Sequence, residues 1–158
     1  MKVLVTSDSH GFADRLLAAV QAEADCQTVV FLGDGLGDLL AVQKKMPGRK
    51  FIAVRGNNDW EPQFASFDET AYQYIGGQTV LATHGHLDGV RFSLAALARR
   101  TAAVRGTLAL FGHTHRPTKQ VVPGTGVLAV NPGALCSGQY AVLEITPGNT
   151  DVTFKTLW

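Results

Sequence analysis

The sequence predicts an α/β fold in which two β-sheets pack face to face and helices cover the outside. In its first half, apolar, β-branched runs alternate with amphipathic segments in the order βαβαβ, which is typical of a parallel sheet with right-handed crossovers. The second half consists largely of short strand-like runs separated by Pro and Gly turns. The length of 158 residues suits one domain, residues 1–158, with a full core.

Three strands and two helices are expected in the first half. The strands are predicted from apolar runs at Lys2–Thr6, Thr28–Leu32 and Lys50–Val54. The helices are predicted from apolar residues at helical spacing over Phe12–Glu23 and Leu36–Met46. Pro47 and Gly48 follow the second of these segments and mark its end.

The pattern changes after Gly56. A loop over Asn57–Asp68 leads into a hairpin of Glu69–Ile75 and Gln78–Thr83, followed by a helix at Arg91–Val104 and a strand at Thr107–Phe111. The remaining strands are expected at Gln120–Val122, Gly126–Val130, Gln139–Ile145 and Asp151–Leu157. The apolar stretches Tyr140–Ile145 and Val152–Leu157 could form an exposed edge or face for self-association, which would permit a homo-oligomer.

Composition excludes several classes of protein. Hydrophobic residues make up 46% of the chain and charged residues 17%, which indicates a globular rather than a disordered protein. The formal net charge of +1 argues against binding extended nucleic acid. Cys26 and Cys136 form no C-x-x-C pair, so a thiolate zinc site is not expected. No apolar stretch approaches a membrane span and no signal peptide precedes the first strand, so we expect a cytoplasmic protein without membrane partners.

Residues that bind metals follow the predicted strands. Five motifs occur in order: Asp8-Ser9-His10, Gly33-Asp34-Gly35, Gly56-Asn57-Asn58-Asp59, His84-Gly85-His86 and Gly112-His113-Thr114-His115. Ligand sites of open sheets lie beyond the carboxyl ends of the strands, so these side chains should gather at one edge. Imidazoles, carboxylates and a carboxamide together predict a site for more than one metal ion. Each motif alone is weakly specific, but the ordered set is strongly specific.

This ordered set resembles the calcineurin-like metallophosphoesterase superfamily. The pattern of that family is D-x-H, G-D, G-N-H-D, a histidine after a strand, and G-H-x-H, and the match runs from Asp8 to His115. The segment Asn131-Pro132-Gly133 is similar to a turn common in its small phosphodiesterase branch, the YfcE-like proteins. The resemblance implies a four-layer αββα sandwich of two mixed sheets with helices outside, forming a single metallophosphoesterase domain.

The resemblance also implies ligands for two divalent metal ions. The first ion would be held by Asp8, His10, Asp34 and His115. The second would be held by Asp34, Asn57, His84 and His113, with Asp34 bridging the pair. Oxygen and imidazole ligands together favour Mn²⁺, with Ni²⁺, Fe²⁺, Zn²⁺ or Co²⁺ as alternatives, over Mg²⁺ or Ca²⁺. His10 could instead orient the hydroxide or cap a helix, and Asn57 could simply occupy a left-handed turn.

The implied activity is hydrolysis of small phosphodiesters at a dinuclear metal centre with a metal-bound hydroxide as nucleophile. Asn58 stands where the family pattern has a histidine that contacts the phosphate and is thought to protonate the leaving group. A carboxamide donates hydrogen bonds but is not a general acid. Either the substrates have good leaving groups, or another acid replaces that histidine, for which His86 is the candidate.

Alternative functions remain open from the sequence. A phosphomonoesterase would use the same mechanism, although an alkoxide leaving group needs the proton that Asn58 cannot give. A nuclease is less compatible with the near-neutral charge. A non-catalytic protein-interaction module on the same fold is the alternative from another class, and the complete set of ligand side chains argues against it.

Further residues carry weaker expectations. Asp59 is expected to orient loop groups, Asp38 to be an exposed helix residue, and Arg116 to be solvated although within reach of a phosphate. The aromatic residues of the loop after Asp59 are Trp60, Phe64 and Phe67. They could form a wall for an apolar leaving group, but a loop that buries its own aromatic side chains is the preferred interpretation.

Overall fold

The computed structural model, which describes all 158 residues, contains ten strands and three α-helices. The strands are β1 Lys2–Thr6, β2 Thr28–Phe31, β3 Lys50–Ala53, β4 Thr70–Ile75, β5 Gln78–Thr83, β6 Leu108–Leu110, β7 Thr118–Val122, β8 Val127–Asn131, β9 Gln139–Thr146 and β10 Asn149–Thr156. The helices are α1 Ala13–Ala22, α2 Leu36–Lys45 and α3 Ala95–Ala103. Short 3₁₀ helices lie at Pro62–Phe64, His86–Asp88 and Leu135–Ser137.

The strands form two five-stranded mixed sheets. The first has the order β10-β9-β1-β2-β3, in which β1, β2 and β3 are parallel and β9 runs antiparallel to β1. The second has the order β4-β5-β6-β8-β7, in which β5, β6 and β8 are parallel and both outer strands are antiparallel. The parallel strands of each sheet end at a common edge, where ligand sites of such sheets form.

The two sheets pack against each other, and helices cover their outer faces. Along β1, Val3 and Val5 enter the core between the sheets, whereas Leu4 faces the layer of α1 and α2. Leu97 and Ala98 of α3 pack on the outer face of the second sheet. This alternation follows from the two-residue period of a strand that is buried on both faces. The predicted αββα sandwich is therefore confirmed.

Two expectations about the elements were wrong in part. The third helix begins at Ala95 rather than Arg91, because Gly89 takes a left-handed φ of 62° and the Ser93 hydroxyl accepts a hydrogen bond from the Ala95 amide at 3.1 Å. Strand β9, which contains Tyr140–Ile145, is an inner strand between β1 and β10, so of these two strands only β10 lies at an edge. None of the helices combines the length and apolar character that crossing a membrane requires.

Candidate metal centre

The residues predicted for the site follow parallel strands of both sheets, at the ends where these strands meet. The residues in question are Asp8 and His10 after β1, Asp34 after β2, Asn57 and Asn58 after β3, His84 and His86 after β5, and His113 and His115 after β6. Within the second sheet, the loops after β5 and β6 are joined by backbone, because the Gly112 amide donates to the His84 carbonyl at 2.9 Å. The site is thus built by five loops from two sheets.

The first group of ligand atoms comprises Asp8, His10 and His115. The Asp8 Oδ1 lies 3.1 Å from the His115 Nε2 and 3.4 Å from the His10 Nε2, and the two imidazole nitrogens are 3.3 Å apart. One ligand atom of each residue falls within 4.8 Å of the others. Three converging donor atoms of these types fit a divalent ion with mixed oxygen and nitrogen ligands.

The second group comprises Asp8, Asp34 and His84. The His84 Nε2 lies 3.3 Å from Asp34 Oδ2 and 3.9 Å from Asp8 Oδ1. The His84 ring is fully buried, and its Nδ1–H donates to the Leu32 carbonyl at 2.7 Å, as backbone carbonyls commonly orient metal-binding histidines. Its Nε2, in contrast, is buried without a hydrogen-bond partner. A buried ring nitrogen that faces two carboxylates is the position that a cation would fill, so the residues fit a metal ion.

The protonation of this group reflects the same crowding of charge. Burial disfavours the charged ring, but the adjacent carboxylates of Asp34 and Asp8 outweigh it and raise the pKa of His84. Burial alone would raise the pKa of Asp34, but His84 and the donors of Asn58 outweigh it and hold that pKa well below its usual range. Asp34 is therefore an ionised carboxylate, and a bound cation would take the place of the His84 proton.

Asp8 belongs to both groups and connects them. Its carboxylate is fully buried and accepts hydrogen bonds from the Ser7 hydroxyl at 2.5 Å and the His113 amide at 3.1 Å. Asp34 also lies between the groups, with its Oδ2 3.7 Å from the His10 Nε2. Both carboxylates are therefore placed between histidines. That Asp34 bridges two ions stays a prediction.

The two asparagines after β3 differ in their contacts. Asn58 donates twice to the Asp34 carboxylate, from its backbone amide to Oδ1 at 2.8 Å and from its side chain to Oδ2 at 2.7 Å. Asn57 is exposed, and its side chain forms no hydrogen bond within the chain. The preceding residue must be glycine, because a Cβ on Gly56 would lie 2.2 Å from Asp34 Oδ1.

His113 and His86 complete the side of the site formed by the second sheet. The His113 ring lies 5.1 Å from the His84 ring between centroids, and the His86 ring lies 5.5 Å from His84. The His113 Nε2 accepts a hydrogen bond from the Arg91 Nε at 3.0 Å. Burial and the charges of His84 and Arg91 lower the pKa of His113, which is therefore neutral and able to act as a ligand. Burial and the charge of His84 also lower the pKa of His86.

Five of the candidate ligands adopt a left-handed backbone. These residues are Asp8, His10, Asp34, His113 and His115, with φ values of 56°, 44°, 59°, 67° and 60°. Arg105 is the sole other non-glycine residue with positive φ. This conformation is costly for residues that carry a Cβ and clusters at functional sites in proteins. The turns that aim the ligands inward thus hold strain that the surrounding packing must offset.

A buried carboxylate, Asp59, fixes the loops that carry Asp34. Its two oxygens accept the backbone amides of Asp34 at 2.7 Å, Gly35 at 2.9 Å, Leu36 at 3.0 Å and Gly56 at 2.8 Å. One side chain therefore holds the loop after β2, the first turn of α2 and the loop after β3. The negative charge of this side chain is stabilising at the N-terminus of α2. The expectation that Asp59 orients loop groups is confirmed.

The expectation for Asp38 was wrong. Asp38 is buried rather than exposed, and its Oδ2 accepts hydrogen bonds from the Ser9 hydroxyl at 2.5 Å and the Gly11 amide at 2.9 Å. It connects α2 to the loop that carries Asp8 and His10. Its partners lie 27 and 29 residues away in sequence, so no local pattern could indicate this role.

Sequence reasoning missed the supporting role of Asn131, although it singled out the turn Asn131-Pro132-Gly133. Asn131 is fully buried, and its side-chain amide donates to the Gly112 carbonyl at 2.8 Å and to the Thr114 hydroxyl at 3.0 Å. Its Oδ1 accepts the Gly133 amide at 2.9 Å. Asn131 therefore positions the loop of His113 and His115 from the end of β8. A polar residue ending an apolar strand was the available signal.

The loop after Asp59 buries two of its three aromatic side chains at least in part, which agrees with the preferred interpretation of the sequence. Phe64 is buried against the core of the first sheet and its helices, and Phe67 packs partly against the same core. Trp60 is 79% exposed and covers no part of that core. Arg116 is exposed, as expected, and it lies at the rim of a cavity beside His113 and His115.

Comparison with known proteins gives a family model and a similar protein that agree with each other. The family model of the calcineurin-like phosphoesterase superfamily domain matches residues 1–148. The probable metallophosphoesterase YsnB of Bacillus subtilis (strain 168) is 29% identical over 162 residues, which cover 98% of this chain and 90% of YsnB.

Solved structures with this fold include an archaeal phosphodiesterase and Vps29. An archaeal phosphodiesterase is similar with a TM-score of 0.75 and 23% identity, covering 98% of this chain and 100% of the other. Wild-type Vps29 from Entamoeba histolytica, in complex with Zn²⁺, is similar with a TM-score of 0.73 and 22% identity, covering 99% of each chain. At these identities the likeness establishes the fold alone.

Proposed function

The chain belongs to the calcineurin-like phosphoesterase superfamily, and on that premise we propose that it is a phosphodiesterase with a dinuclear metal centre and small substrates. The observation that carries the proposal is the pair of ligand groups that share Asp8, one with His10 and His115 and the other with Asp34 and His84. A structural cluster of charge has no need for a buried, unpartnered imidazole nitrogen such as the His84 Nε2.

The chain's own side chains would hold two divalent ions. Asp8, His10, Asp34 and His115 are proposed for the first ion, and Asp34, Asn57, His84 and His113 for the second. When bound, the ions would supply a nucleophile from water at neutral pH and draw charge from the phosphoryl oxygens. Oxygen and imidazole ligands favour Mn²⁺ over Mg²⁺ or Ca²⁺ in such a site.

The residues around the ligands prepare the site for phosphate. The buried Asp8 and the Asn58-bound Asp34 are oriented by hydrogen bonds, so little reorganisation is needed when charge enters. Hydrolysis adds a water oxygen to phosphorus and breaks one ester P–O bond, and the alcohol departs with a proton taken from water or from a side chain. Asn58 has no titratable proton to give.

The preference for diesters is proposed from the side chain of Asn58. Since Asn58 donates to Asp34 and cannot protonate a leaving group, substrates whose leaving group departs as a stable anion are favoured. The fold shared with an archaeal phosphodiesterase supports the same direction. Small substrates are proposed because the net charge of +1 gives no broad basic surface for a polynucleotide.

The test compares bis-p-nitrophenyl phosphate with p-nitrophenyl phosphate on chelator-stripped protein, with and without Mn²⁺. Restored cleavage of the diester with little cleavage of the monoester is expected. His84→Ala should lose turnover and bound metal, whereas Asp68→Ala, an exposed aspartate of the loop before β4, serves as the control. Metal content measured by elemental analysis should fall in the first variant alone.

The alternatives give different outcomes in the same assay. Faster cleavage of the monoester would contradict the diester preference and favour a phosphomonoesterase. If Mn²⁺ and then Ni²⁺, Co²⁺, Zn²⁺ and Fe²⁺ each bound without giving turnover, the proposed enzymatic activity would be contradicted. That result would favour an interaction module on the same fold. The Zn²⁺ complex of a protein with this fold makes that control necessary.

A further inference from the structure

A cavity of about 350 Å³ adjoins the candidate metal centre on the side of the second sheet. Two of its lining residues connect it directly to the ligands. Thr114 lies between His113 and His115 in the chain, and Arg91 donates to the His113 Nε2 at 3.0 Å. A group bound in this cavity would therefore contact a phosphoester held at the centre.

The cavity carries positive charge that no acidic group neutralises. Arg91 and Arg116 line it, and none of its lining residues is a carboxylate. The Arg116 guanidinium forms no hydrogen bond or ion pair within the chain, and that of Arg91 donates only to the His113 Nε2 and pairs with no carboxylate. By contrast, Arg55 and Arg100 are paired with Glu69 and Asp88. Two unpaired guanidinium groups in a concave site favour an anion, and phosphate above all.

The wall behind the arginines is apolar. Val90, Leu94 and Phe111 contribute their side chains to the same cavity. A bare inorganic anion would leave this surface without a partner, whereas an organic group that carries an anion would use both features. The volume suits a group of nucleoside size better than a simple alkyl chain.

We infer, resting on the proposed function, that this cavity binds one ester substituent of the phosphodiester and selects substituents that carry a second phosphate. Arg91 and Arg116 bind that phosphate, and the apolar wall packs against the organic part between the two phosphates. The substrate class is thus a diester with an additional terminal phosphate, such as a nucleoside bisphosphate esterified at one end. A ring nitrogen has one lone pair, so metal ligation through the His113 Nε2 would release Arg91 for this contact.

The test compares two matched p-nitrophenyl esters as substrates of the full chain loaded with Mn²⁺. One is the p-nitrophenyl ester of thymidine 5′-monophosphate with a free 3′-hydroxyl, and the other carries a 3′-phosphate. We expect the 3′-phosphate to lower KM about tenfold, since hydrogen bonds between charged groups contribute about that much when partly solvated. The preference should shrink as ionic strength rises, because exposed charges are screened by salt.

Substitutions separate the cavity from the catalytic centre. Arg116→Gln should remove most of the preference for the 3′-phosphate, and Arg116→Lys should keep part of it, because lysine retains the charge but not the planar fork. Arg91→Gln should act likewise and is accompanied by a metal analysis, since Arg91 contacts His113. Arg99→Gln, an exposed arginine of α3 outside the cavity, should leave both rates and the preference unchanged.

Calorimetry supplies a readout that does not depend on turnover. Thymidine 3′,5′-bisphosphate should bind the wild-type protein about tenfold more tightly than thymidine 5′-monophosphate, and Arg116→Gln should remove most of this difference. Equal hydrolysis of both esters with equal binding of both nucleotides would overturn the cavity inference and leave the phosphodiesterase standing. No hydrolysis of either ester, with the calorimetric difference intact, would overturn the proposed function and support the cavity.

Discussion

Replacing Asp59 by alanine tests how the loops of the metal centre are held in place. Four backbone amides, from Asp34, Gly35, Leu36 and Gly56, donate to the two oxygens of this buried side chain at 2.7–3.0 Å. Asp59→Ala leaves all four donors without an acceptor. Because the acceptor connects two loops and a helix start, its loss should affect both the free energy of unfolding and metal binding.

The size of the effect follows from the number of bonds. Hydrogen bonds to a charged group contribute about 1.5–3 kcal/mol each, so four independent bonds would total about 6–12 kcal/mol. They share one carboxylate, which makes their contributions non-additive, and water can enter beside the exposed Asn58 and Trp60. Breaking a buried charged network usually costs about 3–5 kcal/mol, and we expect a loss in that range. The total free energy of unfolding of a typical domain is about 5–15 kcal/mol, so this loss would be a large part of it.

The assay is urea unfolding at neutral pH with a chelator present, so that metal binding does not contribute. Asp68→Ala, at an exposed position nine residues further along the same loop region, is the matched control and should change the free energy of unfolding by no more than about 0.5 kcal/mol. Asp59→Asn keeps one oxygen for two of the four donors and should lose about half as much as alanine. If Asp59→Ala lost less than about 1 kcal/mol with an unchanged m-value, the proposed fixing of the loops would be refuted.

Four further outcomes are expected. Adding Mn²⁺ to chelator-treated protein should raise the midpoint of thermal unfolding, because an ion at 100 times its Kd stabilises the folded state by about 2.7 kcal/mol; an unshifted midpoint would contradict a Mn²⁺ site. If His86 donates the proton, His86→Ala should slow cleavage of an alkyl diester much more than cleavage of a p-nitrophenyl diester. Cleavage of the alkyl diester at the wild-type rate would exclude that role. Asn58→His should increase cleavage of alkyl esters relative to p-nitrophenyl esters, measured as the ratio of kcat/KM values. Burial and the hydrogen bond to Glu23 raise the pKa of Tyr140 to about 12, so the stability from this neutral phenol is present below pH 10 and lost as pH rises through 12. Urea unfolding measured between these pH values should show that the free energy of unfolding falls less steeply with pH in Tyr140→Phe than in the wild-type protein.

The sequence was sufficient for the strands because their signal is local. The hairpin strand at Gln78–Thr83 was predicted with its observed bounds, since an apolar run between a Gly pair and a histidine motif leaves little freedom. The start of the third helix was predicted four residues too early. Phe92 and Leu94 continue an apolar pattern before its true start, but Phe92 is 94% exposed and Ser93 accepts the first helical amide. A pattern of hydrophobicity cannot distinguish a loop that exposes an apolar residue from a first helical turn.

For the site, the order of the motifs predicted which loops meet, because parallel strands bring their carboxyl ends together. It could not predict which side chains contact one another there. Asp38 reaches Ser9, Asn58 donates to Asp34, and Arg91 donates to His113 across 22 residues. Such contacts depend on side-chain rotamers and on packing between distant segments, which a single sequence does not encode in any local pattern.

The left-handed turns of the ligands have a consequence for attempts to improve this protein. Five positions each hold a conformation that costs about 1–3 kcal/mol in a residue with a Cβ, and glycine or asparagine would relieve much of it. A campaign of mutagenesis scored on heat resistance alone would therefore enrich replacements at these positions and discard the ligands one by one. Selection for robustness and selection for metal binding act in opposite directions on the same five codons, so a stabilising redesign has to hold them fixed and seek its gains elsewhere.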